Sequence, residues 1–292
     1  MFRSLLFAPG DSEKKMLKAS NVGADCVILD LEDSVVESRK PIAREMVTEF
    51  LKRGGNPEVS YFVRINPLDS GKFLQDLAAV VPAGPAGIVF PKSNGVQEAL
   101  VIGNYIEVLE VEHGLPTDSV RLLPLVSETP TAIFTMGEYK DGPARMMGLT
   151  WGAEDLGAAV GASANLQSNK DWTSPYQMTR ALCLFAAHAA KVQAIDTVMA
   201  DFRDLDRLKV VCNEGRRDGF TGKICIHPAQ VEVINEAYSP SSEELDHARA
   251  VIKAFAENPE AGTLQIEGKM IDKPHLVLAE RVLAFAAELA NK

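Results

Sequence analysis

Val27-Ile28-Leu29-Asp30-Leu31-Glu32-Asp33 is a short apolar run that ends abruptly in carboxylates, and the same device recurs down the chain. Tyr61-Phe62-Val63 meets Arg64-Ile65-Asn66, and Ile88-Val89-Phe90 meets Pro91-Lys92. Leu122-Leu123-Pro124-Leu125-Val126 leads to Ser127-Glu128-Thr129, and Met146-Met147-Gly148-Leu149-Thr150 leads to Glu154-Asp155. Runs this short, without helical spacing, read as strands buried on both faces, as in a parallel sheet. Polar clusters at the C-terminal ends of such strands are where α/β sheets and barrels build active sites. An enzyme is the first expectation.

Strand-like runs at 3–8, 26–30, 61–65, 87–90, 121–126, 146–150, 195–199 and 222–226 alternate with helical patterns, among them 12–19, 40–52, 95–113, 131–136 and 176–193. Alternation implies right-handed crossovers, and eight strands favour a closed (β/α)₈ TIM barrel over an open doubly wound sheet. Such a barrel takes about 250 residues. A chain of 292 residues therefore divides into a barrel over 1–235 and a C-terminal helical extension over 236–292. Within that extension Ser241-Ser242-Glu243-Glu244 reads as a capped start to a helix ending near 256, followed by a short strand at 263–266 and a helix over about 274–290.

A net charge of −10 excludes bulk nucleic-acid binding, which needs a basic surface. Cys26, Cys183, Cys212 and Cys225 form no CxxC pair, which points to a reducing, cytoplasmic setting without disulfides. No run is long and apolar enough for a signal-peptide core or a membrane span. GxGxxG, P-loop, HExxH and GxSxG are all absent, so dinucleotide binding, P-loop chemistry, zinc proteolysis and nucleophile-elbow hydrolysis lack their signals. His227, after the last barrel strand, reads equally as a structural hydrogen-bonding group or a ligand contact.

Glu128 and Asp155 follow consecutive strands and should stand side by side at the barrel mouth. Two carboxylates with few other ligands suit Mg²⁺, which keeps waters and accepts substrate oxygens. The plain alternative is that each caps a helix or forms an ion pair. Arg64 offers a planar fork for a substrate carboxylate, or a partner for Glu32 and Asp33. Lys92 reads as an electrostatic group or a partner of Glu32. Substrate contacts are thus expected from Arg64, Glu128, Asp155, Lys92, Glu32 and Asp33.

The ordered set Phe7-Ala8-Pro9-Gly10, Gly23-Ala24-Asp25 with Leu29-Asp30-Leu31-Glu32-Asp33, Val63-Arg64-Ile65-Asn66, Pro91-Lys92, Trp151-Gly152-Ala153-Glu154-Asp155-Leu156-Gly157, Ala194-Ile195-Asp196-Thr197 and Gly219-Phe220-Thr221-Gly222-Lys223 with Ile226-His227-Pro228 resembles the citrate lyase β-subunit-like family. That family belongs with malyl-CoA and citramalyl-CoA lyases among the HpcH/HpaI aldolases, and the resemblance runs from about residue 3 to 285. It implies Mg²⁺ on Glu128 and Asp155, CoA thioester chemistry, and Arg64 against the keto-acid portion. Met270-Ile271-Asp272-Lys273-Pro274 resembles the family's C-terminal motif, whose aspartate acts on the acetyl-CoA methyl group and closes over a neighbouring subunit in a homotrimer. Residues alone would make Asp272 a helix cap. The implied reaction is cleavage of a 3-hydroxyacyl-CoA to acetyl-CoA and an α-keto acid, with Asp272 and Arg64 catalytic. Lys14, Lys18 and Arg39, with Lys15 and Lys40, are the cations expected to meet the CoA phosphates. Rival readings are a malyl-CoA thioesterase on the same site, or a keto-acid-binding subunit of a citrate lyase complex.

Overall fold

The computed structural model describes residues 1–266 and 268–290. It divides into two compact units, Phe2–Asn235 and a smaller one of Met1 with Glu236–Lys292. The larger unit contains eight parallel strands: β1 (Ser4–Pro9), β2 (Cys26–Asp30), β3 (Ser60–Arg64), β4 (Gly87–Phe90), β5 (Arg121–Pro124), β6 (Gly148–Thr150), β7 (Gln193–Asp196) and β8 (Gly222–Cys225). Hydrogen bonding runs in the order β5-β4-β3-β2-β1-β8-β7-β6. Parallel bridges Leu122 to Met146 and Leu125 to Thr150 join the two ends and close the barrel. All eight runs read as strands are strands. Helices intervene as α1 (Glu13–Ala19), α2 (Lys40–Lys52), α3 (Phe73–Val80), α4 (Val96–His113), α5 (Pro130–Ile133), α6 (Glu154–Val160), α7 (Ser174–Ala189), α8 (Leu205–Asp218) and α9 (Ala229–Tyr238).

Burial on both faces explains the strand composition. Every residue of β2, β4, β7 and β8 is buried. Leu5, Cys26, Ile28, Phe62, Val89, Leu123, Ile195 and Ile224, drawn from seven strands, form one cluster. Burying branched and aromatic side chains of this size stabilises by roughly 1.5–3 kcal/mol each. Proline sets the start of α2 and of α7, as read from Pro41 and Pro175. α7 is buried along one face only, through Tyr176, Thr179, Cys183 and Ala187, while Phe185 faces solvent. All four cysteines are buried and free.

The smaller unit carries α10 (Ser242–Glu257), the antiparallel pair β9 (Thr263–Ile266) and β10 (Lys269–Asp272), and α11 (Lys273–Ala290). The capping box at its start forms as read: Ser241 Oγ accepts from the Glu244 N–H at 3.2 Å, and Glu244 Oε2 accepts from the Ser241 N–H at 2.7 Å. Ala248, Val251, Phe255, Ile271 and Ala279 make its core. Among the described residues no helix is long and apolar enough to cross a membrane.

Candidate active site

At the C-terminal ends of β2 and β3 the register places Asp30 opposite Arg64. The guanidinium engages Asp30 through two bonds, Nε to Oδ1 at 2.7 Å and Nη2 to Oδ2 at 2.8 Å. Its third nitrogen lies 3.0 Å from Glu32 Oε2. The fork also lies over the Phe7 ring, 4.5 Å from its centroid, so β1 supplies the floor. Asp30 receives the Glu32 and Ser34 backbone N–H groups as well, each at 3.0 Å. Burial alone would raise Asp30, but Arg64 and these donors hold its carboxyl below the usual range. Arg64 is thus fixed by Asp30 and Glu32. Asp30, not Asp33, is its main partner, and sequence reading passed it over because it reads as the last residue of a strand.

Lys92 links the remaining carboxylates. Its backbone is left-handed, with φ 53°, and this turn directs the N–H at Glu128 Oε2, 2.6 Å away. Its ammonium lies 2.5 Å from Glu32 Oε1, 3.2 Å from Asp155 Oδ1 and 3.7 Å from Asp33 Oδ2. Burial works against the charged ammonium, but Glu32 first, and then Asp155 and Asp33, raise its affinity for the proton. Glu32 is raised by its own burial, opposed by Arg64 and Lys92. Asp155 faces this group, whereas Glu154 is exposed and accepts from Asn165 at 2.9 Å.

Glu128 is buried beneath the group. Burial first, then the negative charge of Asp155, push its carboxyl up to about 8. Among the described residues the Lys92 N–H is its one hydrogen-bond donor. A β-carbon added at Gly152 would stand 2.8 Å from Glu128 Oε1, so glycine keeps that oxygen clear. Among the described residues Asp30, Glu32, Asp33, Glu128 and Asp155 face two cations here, Arg64 and Lys92. The imbalance and the clear Glu128 oxygen fit a divalent cation held by Glu128 and Asp155. Among the described residues no group of three or more His, Cys, Asp or Glu is arranged for a metal; a pair of carboxylates is a set that a hard ion accepts while keeping its waters.

Lys14 and Lys18 are exposed on α1. Arg39 is tied to Asp11, with Nε to Oδ2 at 2.7 Å. Lys40 donates to the carbonyls of Leu31 and Glu32 at 3.0 and 2.9 Å and to Asn66 Oδ1 at 2.7 Å. It secures the loop after β2 and has no donor left over. His227 accepts the Ala229 N–H at 3.1 Å and stacks on Phe202 with ring centroids 4.6 Å apart. Asp272 lies in the smaller unit, at the junction of β10 and α11.

Residues 3–228 match the model of the HpcH/HpaI aldolase/citrate lyase family, and residues 173–288 match that of a C–C bond lyase of the TIM-barrel fold. A (3S)-malyl-CoA thioesterase of Cereibacter sphaeroides is 32% identical, with 99% of this chain and 96% of that protein covered. The mitochondrial citramalyl-CoA lyase of Mus musculus is 33% identical, covering 99% and 87%. The crystal structure of the protein CitE of Mycobacterium tuberculosis, in complex with magnesium, acetoacetate and coenzyme A, superposes with a TM-score of 0.77 at 31% identity, covering 98% of each chain. With its eight-stranded barrel, its carboxylate-rich mouth and these matches, the chain belongs to the HpcH/HpaI aldolase/citrate lyase family.

Proposed function

We propose that the protein is a Mg²⁺-dependent carbon–carbon lyase that cleaves a 3-hydroxyacyl-CoA of the citryl-, malyl- or citramalyl-CoA type to acetyl-CoA and an α-keto acid. The observation that carries the reading is Glu128, a carboxyl pushed up to about 8 by burial and by Asp155, at a mouth where carboxylates outnumber cations. Such a pair is costly without a cation and well matched to one. A solved relative that holds magnesium, acetoacetate and coenzyme A together supports the substrate class.

When bound by Glu128 and Asp155, Mg²⁺ would act as a Lewis acid on the substrate's hydroxyl and adjacent carboxylate oxygens. The protein's own residues do the rest. Arg64, held rigid by Asp30 and Glu32, presents fixed positive charge to the oxyanion that develops as the carbon–carbon bond breaks. Lys92 positions Glu128 through its N–H and stands beside Asp155 through its ammonium, with Glu32 and Asp33 setting that ammonium's place. Asp272, from the C-terminal unit of a neighbouring copy in a homotrimer, protonates the carbon of the thioester enolate. Lys14, Lys18 and Arg39 are assigned to the CoA phosphates.

A thioesterase outcome on the same site is the second reading, favoured by the 32% identical relative that is a (3S)-malyl-CoA thioesterase. Purified protein with Mg²⁺ is to be offered malyl-, citramalyl- and citryl-CoA, with acetyl-CoA and free thiol measured separately. The lyase reading expects acetyl-CoA plus keto acid. Free CoA with intact hydroxy acid would replace it with the thioesterase reading.

A further inference from the structure

β10 ends on Asp272, α11 begins at Lys273, and His275 completes the first turn. The position is that of a helix cap, yet the bonding is not. Among the described residues the Asp272 carboxyl receives no backbone N–H from α11. Its partner is the His275 ring, with Nδ1 2.5 Å from Oδ1. The same Nδ1 lies 3.2 Å from the Asp272 backbone nitrogen. A ring nitrogen either carries a proton or accepts one. If Nδ1 is bare, a carboxyl O–H must donate to it. If it is protonated, it donates to a carboxylate. Either way one proton lies between Oδ1 and Nδ1, and the pair holds a proton it can give up when Nε2 is protonated as well; the ring, about half exposed, remains open to water.

We propose that His275 is a positioning residue that supplies Asp272 with the proton it delivers to a thioester enolate, so that the two side chains act as one proton-holding pair. This rests on the lyase reading given above. The need is a matter of occupancy. At pH 7 a carboxyl in water is protonated about one time in a thousand, whereas an imidazole is protonated about one time in four. A lone carboxylate would be in the wrong form for a general acid.

In the cleavage direction the enolate electron pair forms the new C–H bond, the Asp272 O–H bond breaks, and a carboxylate remains beside the neutral ring. The pair is then one proton short and recovers it from water at the imidazole. Condensation runs the same transfers in reverse, with the methyl proton passing to Asp272 and on to the ring. No oxidant or second reactant is required.

The test uses the full-length protein with Asp272→Asn, His275→Gln and His275→Asn. Asparagine can still accept the Asp272 N–H but cannot hold the proton, so a purely structural cap predicts that His275→Asn keeps its activity. The proposal expects kcat to fall about 100-fold in both His275 variants, within the range for loss of a general acid, with the thioester KM unchanged. Their pH–rate profiles should differ from that of the wild type, and added imidazole should restore part of the activity. Nitrogen spectra of ¹⁵N-histidine-labelled protein should show the His275 Nδ1 signal displaced by Asp272→Asn. A His275→Asn enzyme within twofold of wild type with the same pH profile, or an undisplaced Nδ1 signal, overturns the proposal. If wild type cleaves none of the three thioesters, the lyase reading itself fails, and the shared proton is decided by the nitrogen spectrum alone.

Discussion

On the proposed reading, in which Glu128 holds Mg²⁺, metal binding is a proton-linked event. Its carboxyl, pushed up to about 8, must be ionised to ligate a metal. One pH unit below that value, at pH 7, about ten in eleven molecules carry the proton, so binding there should release about 0.9 proton. Apparent affinity should rise about tenfold between pH 6 and 7, or about 1.4 kcal/mol, and level off above pH 8. The sign of the stability effect follows from the same shift. A carboxyl raised above its ordinary value stabilises the metal-free fold at low pH, and that contribution is lost as pH rises through about 8. Saturating Mg²⁺ should reverse the trend. Calorimetric titration of Mg²⁺ in two buffers of different ionisation enthalpy counts the protons directly. Affinity that stays constant from pH 6 to 8, with no proton released, would refute the reasoning.

Gly152→Ala brings a β-carbon to 2.8 Å from Glu128 Oε1 while the other oxygen is held by Lys92, so the carboxylate must rotate. Mg²⁺ affinity should fall about tenfold, a 1.4 kcal/mol loss, read by calorimetry alongside an unfolding curve close to wild type. Arg64→Ala leaves Asp30 buried without its cation, while Glu32 keeps Lys92, and urea unfolding should register a loss of about 3–5 kcal/mol together with lost turnover. Arg145→Ala provides the contrast. Its buried pair with Glu110, at 3.0 Å, lies before β6, so a similar stability loss should leave the kcat of the still-folded enzyme unchanged.

Eight apolar runs, five of them with charged or polar endings, were enough to place eight strands, because a strand buried on both faces is mostly apolar and its polar residues gather chiefly at its ends. Helix starts at Pro41, Pro175 and Ser241 were legible for an equally local reason, the chemistry of the first turn. The bonding at the mouth was less so. Sequence placed Arg64 near Glu32 and Asp33, but register alone puts Asp30 directly opposite it, and register is a property of two strands together. The left-handed turn at Lys92 gave no signal either, since a lysine does not announce a positive φ as glycine does. Lys40, grouped with the phosphate-binding candidates, is instead surrounded by three acceptors brought together by the loops after β2 and β3. β10 was missed because its four residues include Lys269 and Asp272 and lack a clean apolar run.

The seam of the barrel has a mechanical consequence. β5 and β6 meet through isolated bridges at Leu122–Met146 and Leu125–Thr150, a sparser junction than the five-residue registers between β1 and β2 or β2 and β3. Glu128 and Asp155 hang from the two sides of this junction. An ion held by both, as proposed, would tie the two sides of this seam together, so that occupancy of the site and tightness of the wall would become a single variable.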